Sequence, residues 1–105
     1  MSLNVVSLNV RGLRDFKKRK SIFMYMRKKN ADFVFLQETH SCVPSENQWI
    51  KEWGGNILFS HGTNTSKGVA ILIKPNIDCK INNVVCDPNG RYIFVNIHVV
   101  VSFII

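Results

Sequence analysis

One carboxylate and one amide in this sequence stand where they could share a ligand. Phe33-Val34-Phe35-Leu36 runs directly into Gln37, Glu38, Thr39 and His40. Successive apolar residues, rich in aromatic and β-branched types, have the pattern of a strand buried on both faces. A carboxylate immediately after such a strand stands at its carboxyl end, the rim where layered sheets tend to bind ligands. Asn9 holds the matching place near the end of an earlier stretch, Asn4 to Val10, in which Val5, Val6, Leu8 and Val10 are apolar. An amide oxygen and a carboxylate are hard donors suited to a hard cation. The plainer alternative is that Glu38 is a solvated turn residue.

Whether the two groups meet depends on the elements between them. Asn4 to Val10 alternates loosely and predicts a strand, and Gly12 breaks it as a turn residue. Phe16 to Lys29 predicts a helix, with Phe16, Ile22, Phe23 and Met26 near one face and Arg27, Lys28 and Lys29 at the negative end of its dipole. Asn30 is its stop, and Asp32 to Gln37 is the next strand. Strand, helix and strand in so short a span predict a crossover unit whose strands are parallel and adjacent. That arrangement brings Asn9 and Glu38 to one rim.

Downstream, Pro44-Ser45-Glu46 opens a short helix with Ser45 as its cap. Trp49 and Trp53 share one face as core residues, and Gly54-Gly55 ends the helix. Asn56 to Ser60 is a strand, and His61 to Lys67 is a polar loop. Gly68 to Ile73 is a strand buried on both faces, closed by Pro75. Lys80 to Cys86 and Arg91 to Val99 are strands joined by the turn signal Asp87-Pro88-Asn89-Gly90. Val100 to Ile105 ends the chain in mid-strand, which leaves an open edge. A crossover followed by closely spaced strands predicts a mixed sheet or two stacked sheets.

The 105 residues suffice for one small domain, and at 46% hydrophobic content the chain can bury a core. The formal net charge of +7 favours a polyanionic partner, nucleic acid before anionic membrane. The basic residues cluster: Arg11, Arg14, Lys17, Lys18, Arg19, Lys20, Arg27, Lys28 and Lys29, with Asp15 the sole acid among them. A nucleic-acid-binding face and a merely solvated helix face are both compatible with that run. Lys17-Lys18-Arg19-Lys20 also has the form of a nuclear localisation signal. Cys42, Cys79 and Cys86 are odd in number and lack C-x-x-C spacing, which predicts free thiols in a reducing compartment rather than a disulfide or zinc framework. The N-terminal residues lack the charged-then-apolar pattern expected of a secretory leader, and the apolar C-terminal stretch is too short to span a bilayer. The expected location is nuclear or cytoplasmic, intracellular and not secreted.

Three segments together resemble a known family: Ser7-Leu8-Asn9-Val10-Arg11-Gly12-Leu13-Arg14, Phe35-Leu36-Gln37-Glu38-Thr39-His40, and Lys67-Gly68-Val69-Ala70-Ile71-Leu72-Ile73. In this order and spacing they look like the N-terminal half of the endonuclease/exonuclease/phosphatase family. The nearer resemblance is to the apurinic-type endonuclease domain of LINE-type non-LTR retrotransposons, and it covers nearly the whole chain. The resemblance implies an α/β (α+β) fold, a partial four-layered β-sandwich of two mixed sheets face to face with flanking helices, truncated at the C-terminus. Residues 1–105 would be a single partial domain. It also implies phosphodiester hydrolysis that depends on Mg²⁺ (or Mn²⁺), DNA as the partner through its phosphate backbone, and the rest of a retroelement polyprotein as a further partner.

By position, Glu38 matches the family's metal-binding glutamate, and Asn9 the asparagine beside the metal and phosphate. Arg11, Arg14, Lys17, Lys18, Arg19 and Lys20 are the expected nucleic-acid contacts. Arg11 stands where abasic-site repair members carry an aspartate, a departure that retrotransposon members share. The family's catalytic tyrosine, Asp-x-Asn and Asp-His motifs would fall beyond Ile105, so no appreciable nuclease activity is expected of the chain alone. A non-catalytic nucleic-acid-binding remnant is the alternative, and a poorly folded relic is a third reading. His40 is read as a rim or structural residue, and His61 and His98 as incidental.

Overall fold

Phe33 to Gln37 forms a strand whose alternate residues enter two different layers. A computed structural model of the chain describes residues 3–100; the strand expected over Val101 to Ile105 lies outside them. β2 (Phe33–Gln37) lies between β1 (Val5–Asn9) and β4 (Val69–Ile73), with β3 (Asn56–Ser60) on the far side of β4. β1 and β2 are parallel, joined by α1 (Phe16–Lys28), whereas β4 runs antiparallel to both β2 and β3. The sheet is therefore mixed, and the predicted crossover is present.

Val34 and Leu36 enter one layer with Phe23 and Met26 of α1 and with Trp49 and Trp53 of α2 (Glu46–Trp53). Phe33 turns the other way with Ile71 and Ile73. They meet Ile81 of β5 (Cys79–Cys86) and Ile93, Val95 and Ile97 of β6 (Ile93–Val99), an antiparallel hairpin that forms the second sheet. Helices, mixed sheet and hairpin stack as three layers among the described residues. This is the α/β architecture expected of the endonuclease/exonuclease/phosphatase-type sandwich. No helix among the described residues is long and apolar enough to cross a membrane.

Local chemistry sets the helix ends. The Asp15 carboxylate accepts the Lys18 N–H at 3.2 Å and caps α1, a contribution of about 1 kcal/mol. Ser45 does not cap α2. Val43–Ser45 forms a 3₁₀ turn, Ser45 itself has helical backbone angles, and its hydroxyl donates to the Cys42 carbonyl at 2.8 Å. The Trp53 indole N–H donates to the Ile73 carbonyl at 2.8 Å, tying α2 to β4.

Two expectations for α1 need correction. Phe16 is 50% exposed rather than core. Arg19, expected to face nucleic acid, is only 4% exposed. It stands three residues after Phe16 and four before Phe23, so helical spacing puts it on the core side. Its guanidinium donates to both Glu52 carboxylate oxygens, at 2.6 and 2.9 Å, and to the carbonyls of Leu13 and Arg14 at 3.0 and 3.1 Å. Arg19 thus joins α1 to α2.

The hydrogen bond from Arg19 holds the Glu52 carboxyl below its ordinary 4.5, with the positive charge adding to the effect. A depressed carboxyl contributes stability that is complete above its unfolded value and is lost as pH falls through the folded one. Arg19→Ala leaves the Glu52 charge unpaired and is expected to cost roughly 3 kcal/mol. Thermal unfolding followed from pH 6 to pH 3 should show the gap between wild type and variant narrowing as pH drops below about 4.5, the range over which the Glu52 charge is lost.

Candidate functional site

The pairing of β1 with β2 continues past the strands. Asn9 lies opposite Gln37. The Val10 N–H then donates to the Gln37 carbonyl at 3.0 Å, Gly12 to Glu38 at 2.6 Å, and Leu13 to Thr39 at 3.0 Å. From the other side, Thr39 N–H donates to the Gly68 carbonyl at 3.0 Å, His40 to Lys67 at 2.9 Å, and Gly68 to Gly90 at 2.8 Å. Loops following β1, β2 and β5 and the one preceding β4 converge here, with the Glu38 backbone held between two of them.

The backbone at this rim is strained. Arg11, Glu38, His40 and Lys67 have φ of 50°, 54°, 56° and 63°. Non-glycine residues in the left-handed region cost on the order of 1–3 kcal/mol each and persist where surroundings over-determine them. Two glycines let the loops approach. A Cβ on Gly12 (φ 89°) would sit 2.8 Å from His40 Nδ1, so the His40 ring covers this glycine. A Cβ on Gly68 (φ 99°) would run into Thr39 Oγ1.

Asn9 and Glu38 are both exposed at this rim. Asn9 Oδ1 accepts the Arg11 N–H at 3.1 Å, which orients the amide and leaves that oxygen a second lone pair. Two oxygen donors fit a hard cation that keeps several of its waters. No group of three or more His, Cys, Asp or Glu gathers among the described residues, so a closed nitrogen- or sulfur-rich metal cage is not formed there.

The basic residues divide. Arg14 Nη1 donates to Asn64 Oδ1 at 2.7 Å and to the His40 carbonyl at 3.4 Å, and Lys18 Nζ donates to the Arg11 carbonyl at 3.2 Å. Arg11, Arg14 and Lys18 are therefore exposed beside the Asn9–Glu38 rim. Lys17 and Lys20 are exposed further along α1, and Arg19 is committed to Glu52. A hollow lined by Arg14, Phe16, Cys42, Ser45 and Gln48 adjoins the rim through Arg14, but neither Asn9 nor Glu38 lines it. The Ser45 hydrogen bond, with help from the Arg14 charge, lowers the Cys42 thiol pKa there. All three cysteines are free.

His61 is not incidental. Its Nδ1 lies 2.8 Å from Ser41 Oγ and its Nε2 lies 2.6 Å from Glu46 Oε2, while its ring stacks on Phe59 at 5.1 Å. No spacing rule links residues 41, 46 and 61, so the sequence carries no local signal for this cluster. His98 lies on β6 opposite Lys80, outside these contacts.

Comparison with known proteins bears on the family of the chain. The profile of the Endonuclease/Exonuclease/phosphatase family matches residues 6–105. The Transposon TX1 uncharacterized 149 kDa protein of Xenopus laevis is 29% identical over 97 residues, which are 92% of this chain and 7% of that protein. The chain thus spans a small fraction of this relative's length.

Gly68→Ala tests the close approach at the rim. The added Cβ meets Thr39 at a backbone angle that alanine adopts at a cost, so a loss of roughly 1–3 kcal/mol is expected in urea unfolding. Stability equal to wild type would contradict the contact.

Proposed function

The chain belongs to the endonuclease/exonuclease/phosphatase family, and from that premise we propose that it supplies the cation-holding rim of a metal-dependent DNA endonuclease of retrotransposon type. The observation that carries the reading is that Asn9 lies opposite Gln37 on two adjacent parallel strands, with Glu38 the next residue along. In it, the Glu38 carboxylate and Asn9 amide oxygen hold Mg²⁺ or Mn²⁺. When bound, such an ion supplies charge stabilisation at a phosphodiester and its leaving oxygen. Arg11, Arg14 and Lys18 lie along the same rim and pair with the DNA backbone, whose phosphates dominate affinity. Lys17 and Lys20 extend that contact along α1. The retrotransposon assignment draws support from the similarity to the TX1 transposon protein. An intracellular location, nuclear or cytoplasmic, and a larger polyprotein as partner belong to the same reading.

Cutting also needs a base for the attacking water. Of the three histidines, His61 has both ring nitrogens engaged and His98 lies on the hairpin, while the His40 ring packs over Gly12. We therefore propose that the isolated chain binds cation and DNA without appreciable cleavage. The exposed lysines of α1 favour a second reading, a DNA-binding module with no metal function.

Two measurements separate these readings. Free Mn²⁺ measured by electron paramagnetic resonance should reveal binding by the wild type that Glu38→Gln weakens by about tenfold or more, since it removes the carboxylate proposed to hold the ion. Mn²⁺ binding unchanged by Glu38→Gln would favour the module. In gel shifts, DNA affinity should fall with salt, and Lys17→Ala or Lys20→Ala should each flatten the log–log slope by about 1. Salt-independent binding would contradict a phosphate-driven mode. Plasmid nicking with Mg²⁺ should stay at background, and Glu38-dependent nicking would overturn the proposed inactivity.

A further inference from the structure

Thr39 and Ser41 are buried, at 0% and 1% exposure, in the turn that carries Glu38. Buried hydroxyls require partners. Thr39 O–H donates to Ser41 Oγ at 3.3 Å, and Ser41 N–H donates back to Thr39 Oγ1 at 3.4 Å. Ser41 Oγ in turn meets His61 Nδ1, and His61 Nε2 meets Glu46. An ionised carboxylate only accepts, so Nε2 carries a proton; in the neutral ring Nδ1 then accepts from the Ser41 hydroxyl. With a neutral ring the relay runs in one direction, from Thr39 through Ser41 and His61 to Glu46, and such chains strengthen their members.

Serine, histidine and carboxylate in series have the connectivity of a nucleophilic triad. Burial rules that use out, because a serine 1% exposed meets no substrate. What the relay does is mechanical. Glu38 and His40 both hold left-handed angles, and the backbone bonds from Gly12 and to Gly68 brace the turn on two sides. The relay braces it on a third, against the first turn of α2, which Trp53 and Arg19 anchor in turn.

We propose that His61 is a positioning residue for Glu38: acting through Ser41, it sets the turn that presents the carboxylate to a divalent cation. This rests on the reading of Glu38 as a cation ligand. It also assigns the two arms of the ring unequal roles. The Nδ1 arm reaches the Glu38 turn, whereas the Nε2 arm reaches only α2.

The test uses the 105-residue chain, with Mn²⁺ as the probe and electron paramagnetic resonance as the readout. Thermal unfolding is measured on every variant. In His61→Asn the shorter amide can replace Nδ1 and keep the Ser41 arm. In His61→Gln the longer amide can replace Nε2 and keep only the Glu46 arm. The expected result is a loss of affinity of roughly tenfold in His61→Gln and in Ser41→Ala, with His61→Asn within about twofold of wild type. Equal losses in both His61 variants that track their melting temperatures would mark a merely structural role and overturn the proposal. Wild-type affinity in His61→Gln and Ser41→Ala would overturn it too, while a loss in Glu38→Gln left the cation reading standing. Mn²⁺ binding absent from the wild type, or unchanged in Glu38→Gln, would overturn the cation reading and this proposal with it.

Discussion

The hydrogen-bond ladder between β1 and β2 outlasts the strands, and the rim depends on that continuation. Parallel strands of ordinary length would bring Asn9 near Gln37 and leave the next residues to solvent. Here Gly12 bonds to Glu38 and Leu13 to Thr39, so sheet geometry extends into a turn with left-handed residues. A carboxylate on a mobile loop would lose conformational freedom on meeting a cation. One held from both sides has already lost it during folding, which is the advantage of building a site on rigid elements.

The positive charge serves two separate purposes. Arg19 spends its guanidinium inside the molecule, satisfying Glu52 and two carbonyls that would otherwise be poorly solvated. Arg11, Arg14 and Lys18 remain exposed around the rim; Arg14 gains partial order from Asn64 and His40, and Lys18 from the Arg11 carbonyl. The buried pair joins the helices that cover one side of the sheet, and the exposed group shapes the potential above Glu38. A count of basic residues cannot separate these roles; burial and partners do.

Much of the fold was legible because its signals are local. The β2 run, the helix from Phe16, the turn at Asp87 and the tryptophan pair each announce themselves within a few residues, and the crossover rule then places Asn9 beside Gln37. Arg19 resembles a surface cation by composition, although its offset from Phe23 points inward. Phe16 departs in the opposite sense: at the first turn of α1 it lies at the edge of the layer, half out in solvent. Ser45 has a capping residue's chemistry, but the 3₁₀ turn before it redirects its hydroxyl to Cys42. The His61 cluster was illegible because residues 41, 46 and 61 meet only after β3 packs beside α2.

The joint presentation of Asn9 and Glu38 can be tested in space. In a ¹H–¹⁵N correlation spectrum of the chain, substoichiometric Mn²⁺ broadens amides by proximity. The account predicts that the amides of Asn9, Arg11, Gly12, Glu38 and Thr39 fade together and first, while those around Glu52 and Asp87 persist. Broadening that began at Glu46, Glu52 or Asp87, or that reached the Glu38 amide without those of Asn9 and Gly12, would contradict it.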